Sequence, residues 1–239
     1  MTAAWRAAWF ETGIHAKAAS LWRGVEAQHV ISTLKLTDSR QEHEVLEALL
    51  ERSKPPLPRE AAGQHFLLFT PFRYRSPYPS RFRRPTDAGV WYGAEELKTA
   101  CAEVAYWRWR FVMDSEGLRD QALHTEHTFF QARVRGRSID LAAAPWKSAS
   151  RAWSRSRDYS ACQDLGAQAR ERRVAWIRYP SVRLAKGTCA AVLEPGALSL
   201  RAGYEQQTWD CKTTKSAVYL QRRIERGEHH EFAAQSFEP

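Results

Sequence analysis

The sequence predicts a mixed α+β fold in which short strands and helices are joined by long irregular connections. Three observations predict it. Apolar residues recur at helical spacing, at Val45, Leu46, Leu49 and Leu50 and again at Leu97, Ala100, Cys101, Val104 and Ala105. Short apolar or alternating runs stand apart from these, such as GVWYG at residues 89–93 and the alternation Phe130, Ala132, Val134. Neither GxGxxG nor GxxxxGK[ST] occurs, which argues against a Rossmann or P-loop arrangement.

The chain has 239 residues, enough for one large domain or a domain with an extension. Residues 1–37 mix Trp, Ala and basic residues and fit two short helices, or a helix and a coil. A helix is expected from Ser39, because Ser39 and Glu42 make an S-x-x-E capping box. Lys54-Pro55-Pro56-Leu57-Pro58 ends it, since proline cannot continue a helix. The proline run divides an N-terminal helical extension, residues 1–58, from a main domain, residues 59–239. HFLLFT at 65–70 reads as a short buried strand, and 71–85, rich in Pro, Arg, Tyr and Ser, as a loop. Residues 89–93 read as a strand and 94–110 as a helix, on which Glu96 and Glu103 share a face two turns apart. Residues 129–134 alternate, and Gly136 is expected to turn the chain into 138–141 as a hairpin. A helix over 158–172 has a basic last turn, which suits the helix dipole. Strands are expected at 174–177, 189–193, 204–211 and 217–223, and the polar tail after 226 is expected to fray.

Composition narrows the function. There is no run of 18 apolar residues, so no transmembrane helix is expected. The first residues lack the apolar core of a signal peptide. The four Cys form no CxxC pair, which reads as reduced thiols in a cytoplasmic protein without a structural metal. His124 and His127, and the adjacent His229 and His230, read as surface or loop residues. A net charge of +9 and a pI near 9.6 imply a surface that attracts anions. The arginines cluster at 73–84, 133–137, 151–157 and 170–173 rather than in one tail, which favours a phosphate-bearing ligand.

Two segments carry the chemistry. One is SRFRRPTDAGVWYGAEELKTACAEV, from Ser80 to Val104, and the other is RYPSVR around Ser181. Arg, Tyr, Glu and Ser together suit the holding of a dinucleotide and the breaking of a glycosidic bond. These segments resemble the RES domain, a family named for its Arg, Glu and Ser. The resemblance spans about residues 65–215: PFRYRSPYPSRFRR, GVWYGAEELKTACAEVAYWR, and RYPSVR followed by a strand and Glu194-Pro195. LWRGVEAQH and the capped helix resemble the extension of longer members.

The resemblance implies an ADP-ribosyltransferase-like fold and NAD as substrate; no metal is expected, because no ligand spacing for one occurs. It implies the toxin of a bacterial type II toxin–antitoxin pair, neutralised by a cognate Xre-type helix-turn-helix antitoxin. NAD would be consumed by phosphorolysis or hydrolysis, or its ADP-ribose moved to a target protein. DNA would be met only through the antitoxin, and no membrane is involved. The family's GRW arginine aligns with Arg81 of Ser-Arg-Phe, with Arg83 as a competitor.

Each residue has a plain reading beside the functional one. Glu103 is a helix glutamate, or the carboxylate that stabilises the ribosyl cation. Arg81, with Arg73 as a second grip, is a loop arginine or a pyrophosphate clamp. Tyr92 is a core aromatic, or a wall for nicotinamide and a partner for ribose. Ser181 is a turn serine or a hydroxyl that orients the leaving side. It is not read as a nucleophile, because no GxSxG elbow surrounds it. Two rivals remain: a basic nucleic-acid-binding protein or ribonuclease toxin, and a module that only binds its antitoxin. Turnover of NAD or of RNA separates them.

Overall fold

The computed structural model describes residues 5–27, 36–74 and 76–237. A single helical turn, α1 (Trp9–Thr12), leads into a long strand, β1 (Ile14–Glu26). This corrects the expectation of helix or coil before residue 37. β1 pairs antiparallel with β3 (Leu123–Asp140) through thirteen consecutive residue pairs, from Ile14 opposite Ile139 to Glu26 opposite His127. Residues 28–35, in the same expected segment, lie outside the described residues.

Five strands close into a ring. β1 meets β2 (Trp91–Ala94), β2 meets β5 (Thr188–Val192), β5 meets β4 (Trp176–Pro180), β4 meets β3, and β3 returns to β1. Only the β3–β4 pairing is parallel. Two-residue β6 (Leu198–Ser199) pairs with β3, and β7 (Gln206–Thr213), β8 (Ala217–Arg222) and β9 (His229–Ala233) continue the sheet outward from β3. Side chains alternate between strand faces. One face buries Leu21, Trp91, Phe130, Val134, Trp176 and Val192 inside the ring, with Leu68 packed among them. The other buries Trp22, Phe129, Ile177, Cys189 and Ala191 against two helices, α4 (Leu97–Asp114) and α6 (Ser160–Glu171). Ala100, Ala102 and Ala105 of α4 are buried, and their small side chains bring the helix close to the sheet.

The expected mixed α+β class holds, with particular corrections. HFLLFT belongs to a helix, α3 (Phe66–Arg73), because His65 Nδ1 caps the Leu67 N–H and Thr70 Oγ1 donates to the Phe66 carbonyl. A short apolar run is ambiguous between strand and buried helix, and here the local caps decide. No hairpin forms at Gly136. Its φ of +151° carries β3 straight on, opposite Lys17 of β1. The tail does not fray through its whole length: β9 pairs with β8, and Phe232 and Phe237 are buried.

The capped helix is present as α2 (Arg40–Ser53), with Ser39 Oγ accepting from the Glu42 N–H at 3.2 Å. Its apolar stripe is exposed, and none of its residues is buried. The boundary near residue 58 therefore does not part an extension from a sheet domain. β1 is a ring strand, and α2 stands off the core. No helix among the described residues is long and apolar enough to cross a membrane.

Leu21 is 0% exposed and Leu49 is 55% exposed. Leu21→Ala should cost about 2–5 kcal/mol, the range for a core leucine. Leu49→Ala should stay within about 0.5 kcal/mol of the parent. Urea unfolding monitored by tryptophan fluorescence measures both.

Candidate active site

On the outer face of the ring, α4 overhangs β1, β2 and β5 and leaves a cavity of about 390 Å³. Arg81, Tyr92 and Glu103 line it, together with Arg23, Tyr106, Tyr159, Tyr179, Arg183 and Cys189.

Glu103 projects from α4 towards the β4–β5 turn. Ser181 Oγ donates to Glu103 Oε1 at 2.8 Å and accepts from the backbone N–H groups of Arg183 and Leu184, both at 3.1 Å. The serine is a turn residue and a ligand of the carboxylate at once, which joins its two sequence readings. Its hydroxyl is thus held between two backbone N–H groups and the Glu103 carboxylate. Cys189 of β5 donates to the same Oε1 at 3.4 Å. Burial pushes the Cys189 thiol well above its usual range, and the neighbouring carboxylate adds to the shift.

Arg81 sits in a tight turn in which Ser80 and Arg83 exchange backbone hydrogen bonds at 2.8 and 3.2 Å. Tyr92 holds that turn. Its hydroxyl accepts from the Phe82 N–H at 3.0 Å and pairs with Ser80 Oγ at 2.8 Å. Arg81 is buried, donates to the Trp153 and Arg155 carbonyls, and lies 4.7 Å from the centre of the Tyr159 ring. Arg83 is also buried, but it is spent on the carbonyls of Ser76, Tyr78, Arg84, Pro85 and Asp87. It does not line the cavity, which removes it as a competing clamp. Arg73 is placed elsewhere. It donates to the Pro55 carbonyl at 2.7 Å and pairs with Glu51 at 3.2 Å, tying α3 to α2, so its expected place in the binding site is corrected.

Two arginines enter the site unannounced. Arg23 of β1 donates to the Tyr92 carbonyl at 2.8 Å and lies 5.3 Å from the Trp91 ring centre, and burial lowers its pKa to about 10. Arg183 lies 3.4 Å from the Tyr106 ring centre and donates to the Ser156 carbonyl. Arg183 was visible in RYPSVR, two residues past Ser181. Arg23 needed recognition of the strand before it, and its signal was the alternation of Leu21 and Trp22 between opposite faces. Among the described residues, none of Arg23, Arg81 and Arg183 has a carboxylate ion-pair partner. The cavity thus gathers three cations held by carbonyls and aromatic rings around one anchored carboxylate. Such a set suits an anionic ligand on which positive charge develops near Glu103.

Residues 56–214 match the RES domain family. The chain belongs to the RES-domain family. No curated protein sequence matches it. Among solved structures it is similar to the M. tuberculosis MbcT–MbcA toxin–antitoxin complex, at 15% identity and a TM-score of 0.48, over 86% of this chain and 90% of that one. The matched RES region starts after β1, yet β1 closes the ring and supplies Arg23.

The cavity is also lined by Arg108, paired with Glu26 at 2.7 Å, and by His127. The surface reading of His127 is corrected: it lies on β3 and is 3% exposed. Burial, with Arg108 nearby, lowers its pKa to about 4. His230 also lies in the sheet, stacked on Trp209 with ring centres 5.5 Å apart.

Two outcomes follow from these environments. Tyr92→Phe should cost about 1–3 kcal/mol, because it strands the Phe82 N–H. Thermal melting of the variant checks this. His127 binds a proton more readily unfolded than folded, so its contribution is complete above about pH 6.5 and is lost as pH falls towards 4. The loss is on the order of 3 kcal/mol. Urea titrations from pH 7 to 4 should show a stability difference between the parent and His127→Gln that shrinks as the pH falls.

Proposed function

We propose that this RES protein is the toxin of a bacterial toxin–antitoxin pair and that it cleaves the nicotinamide–ribose bond of NAD. One observation carries the reading: Glu103, anchored through Oε1 by Ser181, lines a cavity with three arginines that form no carboxylate ion pair among the described residues. Family membership supports it, since the resemblance of Arg81, Glu103 and Ser181 to the RES pattern implies NAD chemistry on an ADP-ribosyltransferase-like fold.

In this reading Arg81, with Arg23 or Arg183 beside it, binds the pyrophosphate. Guanidinium groups suit that task because they present a planar fork of donors. Tyr92 walls the nicotinamide end and keeps the Arg81 turn in place. As the C1′–N bond breaks, its electron pair passes to the pyridinium nitrogen and neutralises it. The ribosyl group becomes oxocarbenium-like, and the Glu103 carboxylate stabilises that charge. Phosphate, water or a protein side chain then attacks C1′, and no metal takes part. The protein acts in the cytoplasm, where a cognate helix-turn-helix antitoxin holds it silent. The +9 charge favours capture by an acidic segment of that partner.

The purified chain should release nicotinamide from NAD in the presence of phosphate or cell lysate, and should leave RNA intact. Glu103→Gln should keep a normal melting curve and lose about 10²–10³ of the rate, the usual effect of removing one transition-state electrostatic contact. Chromatography of nicotinamide measures both. Absence of release under every condition sinks the proposal, and RNA cleavage in its place supports the ribonuclease rival.

A further inference from the structure

Cys189 is 1% exposed, on the β5 face that packs under α4. A buried free thiol is most often a small apolar filler. Two facts set this one apart. Its Sγ lies 3.4 Å from Glu103 Oε1, the same oxygen that receives the Ser181 hydroxyl at 2.8 Å. The other oxygen, Oε2, has no hydrogen-bond partner among the described residues.

Two donors from different elements therefore converge on one oxygen. Ser181 reaches it from the turn after β4, and Cys189 from β5. A glutamate side chain has three soft torsions and loses rotamer freedom when held. A single hydrogen bond leaves rotation about that contact open, whereas two donors from separate directions fix the plane of the carboxylate. Resting on the reading of Glu103 given above, we infer that Cys189 is a positioning residue: with Ser181 it clamps Oε1 and leaves Oε2 to face the ligand.

The thiol is suited to this. Its pKa is raised by burial and by the Glu103 charge, so it stays protonated and remains a donor. Arg81 and Tyr179 also act on Glu103 across the cavity, and neither hydrogen-bonds to it, so the clamp belongs to Ser181 and Cys189.

The test compares Cys189→Ala with Cys189→Ser in nicotinamide release. Alanine removes the donor and should lower kcat roughly three- to tenfold with KM near the parent value, as expected for loss of one weak hydrogen bond to a charged group. Serine keeps a donor and should return kcat to within about twofold of the parent. If the thiol only fills space, a serine hydroxyl in its place has no acceptor to meet and is the less stable of the two variants. A thiol that only fills space predicts that kcat follows stability, with alanine the better enzyme, and that result overturns the inference. A second measurement uses the parent chain and needs no NAD. The infrared S–H stretch of Cys189, assigned by its loss in Cys189→Ser, should move to higher frequency in Glu103→Gln. An unmoved band overturns the inference. If the parent releases no nicotinamide at all, the proposed reaction fails, and the infrared band still decides whether the thiol holds the carboxylate.

Discussion

The pairing of β1 with β3 is the constraint on which the rest depends. It joins residues more than a hundred positions apart through thirteen residue pairs, and it converts an open sheet into a ring. Without β1 the inner face of β3 would lose Leu21, and the outer face would lose Trp22. α4 rests on that outer face. Its small residues permit close approach only where a continuous, curved surface lies beneath them. The ring therefore sets the depth at which Glu103 meets Ser181 and Cys189.

The site spends stability to hold charge. Among the described residues Arg23, Arg81 and Arg183 form no ion pair with a carboxylate; carbonyls and aromatic faces hold them, and Glu103 acts on Arg81 only across the cavity. Such partners are weaker than an ion pair, and a buried unpaired cation is costly. Arg83 shows the alternative within the same turn: it is saturated by five carbonyls and makes the turn rigid. Neighbouring arginines of one type are thus divided between scaffold and site by what surrounds them.

That division explains what could be read from the sequence. Glu103, Arg81, Tyr92 and Ser181 were legible because short local segments carry them, and the structure brings all four to one cavity rim or its immediate support. Arg73 was misplaced because a charge in a cluster says nothing of its direction, and here it faces α2. The α4 helix and its apolar stripe were plain, since helical periodicity is local. β1 and the full length of β3 were not, since the partner of each lies far away in sequence. Gly136 looked like a turn because glycine permits one, and a glycine at positive φ also lets a strand twist onward. His127 looked exposed for the same reason: with β1 unrecognised, nothing marked β3 as buried.

Phe237 packs against Tyr106 and Trp109 of α4, with ring centres 5.8 and 5.7 Å away. The helix that carries Glu103 is thus braced by a residue from the far end of the described chain, while the ring beneath it begins with β1. In a chain emerging from the ribosome, β1 appears long before Phe237. Until Phe237 has left the exit tunnel, α4 lacks one side of its packing, and Glu103 sits on a helix that is not yet braced. Translation itself thus separates the synthesis of α4 from the packing that fixes it against the ring.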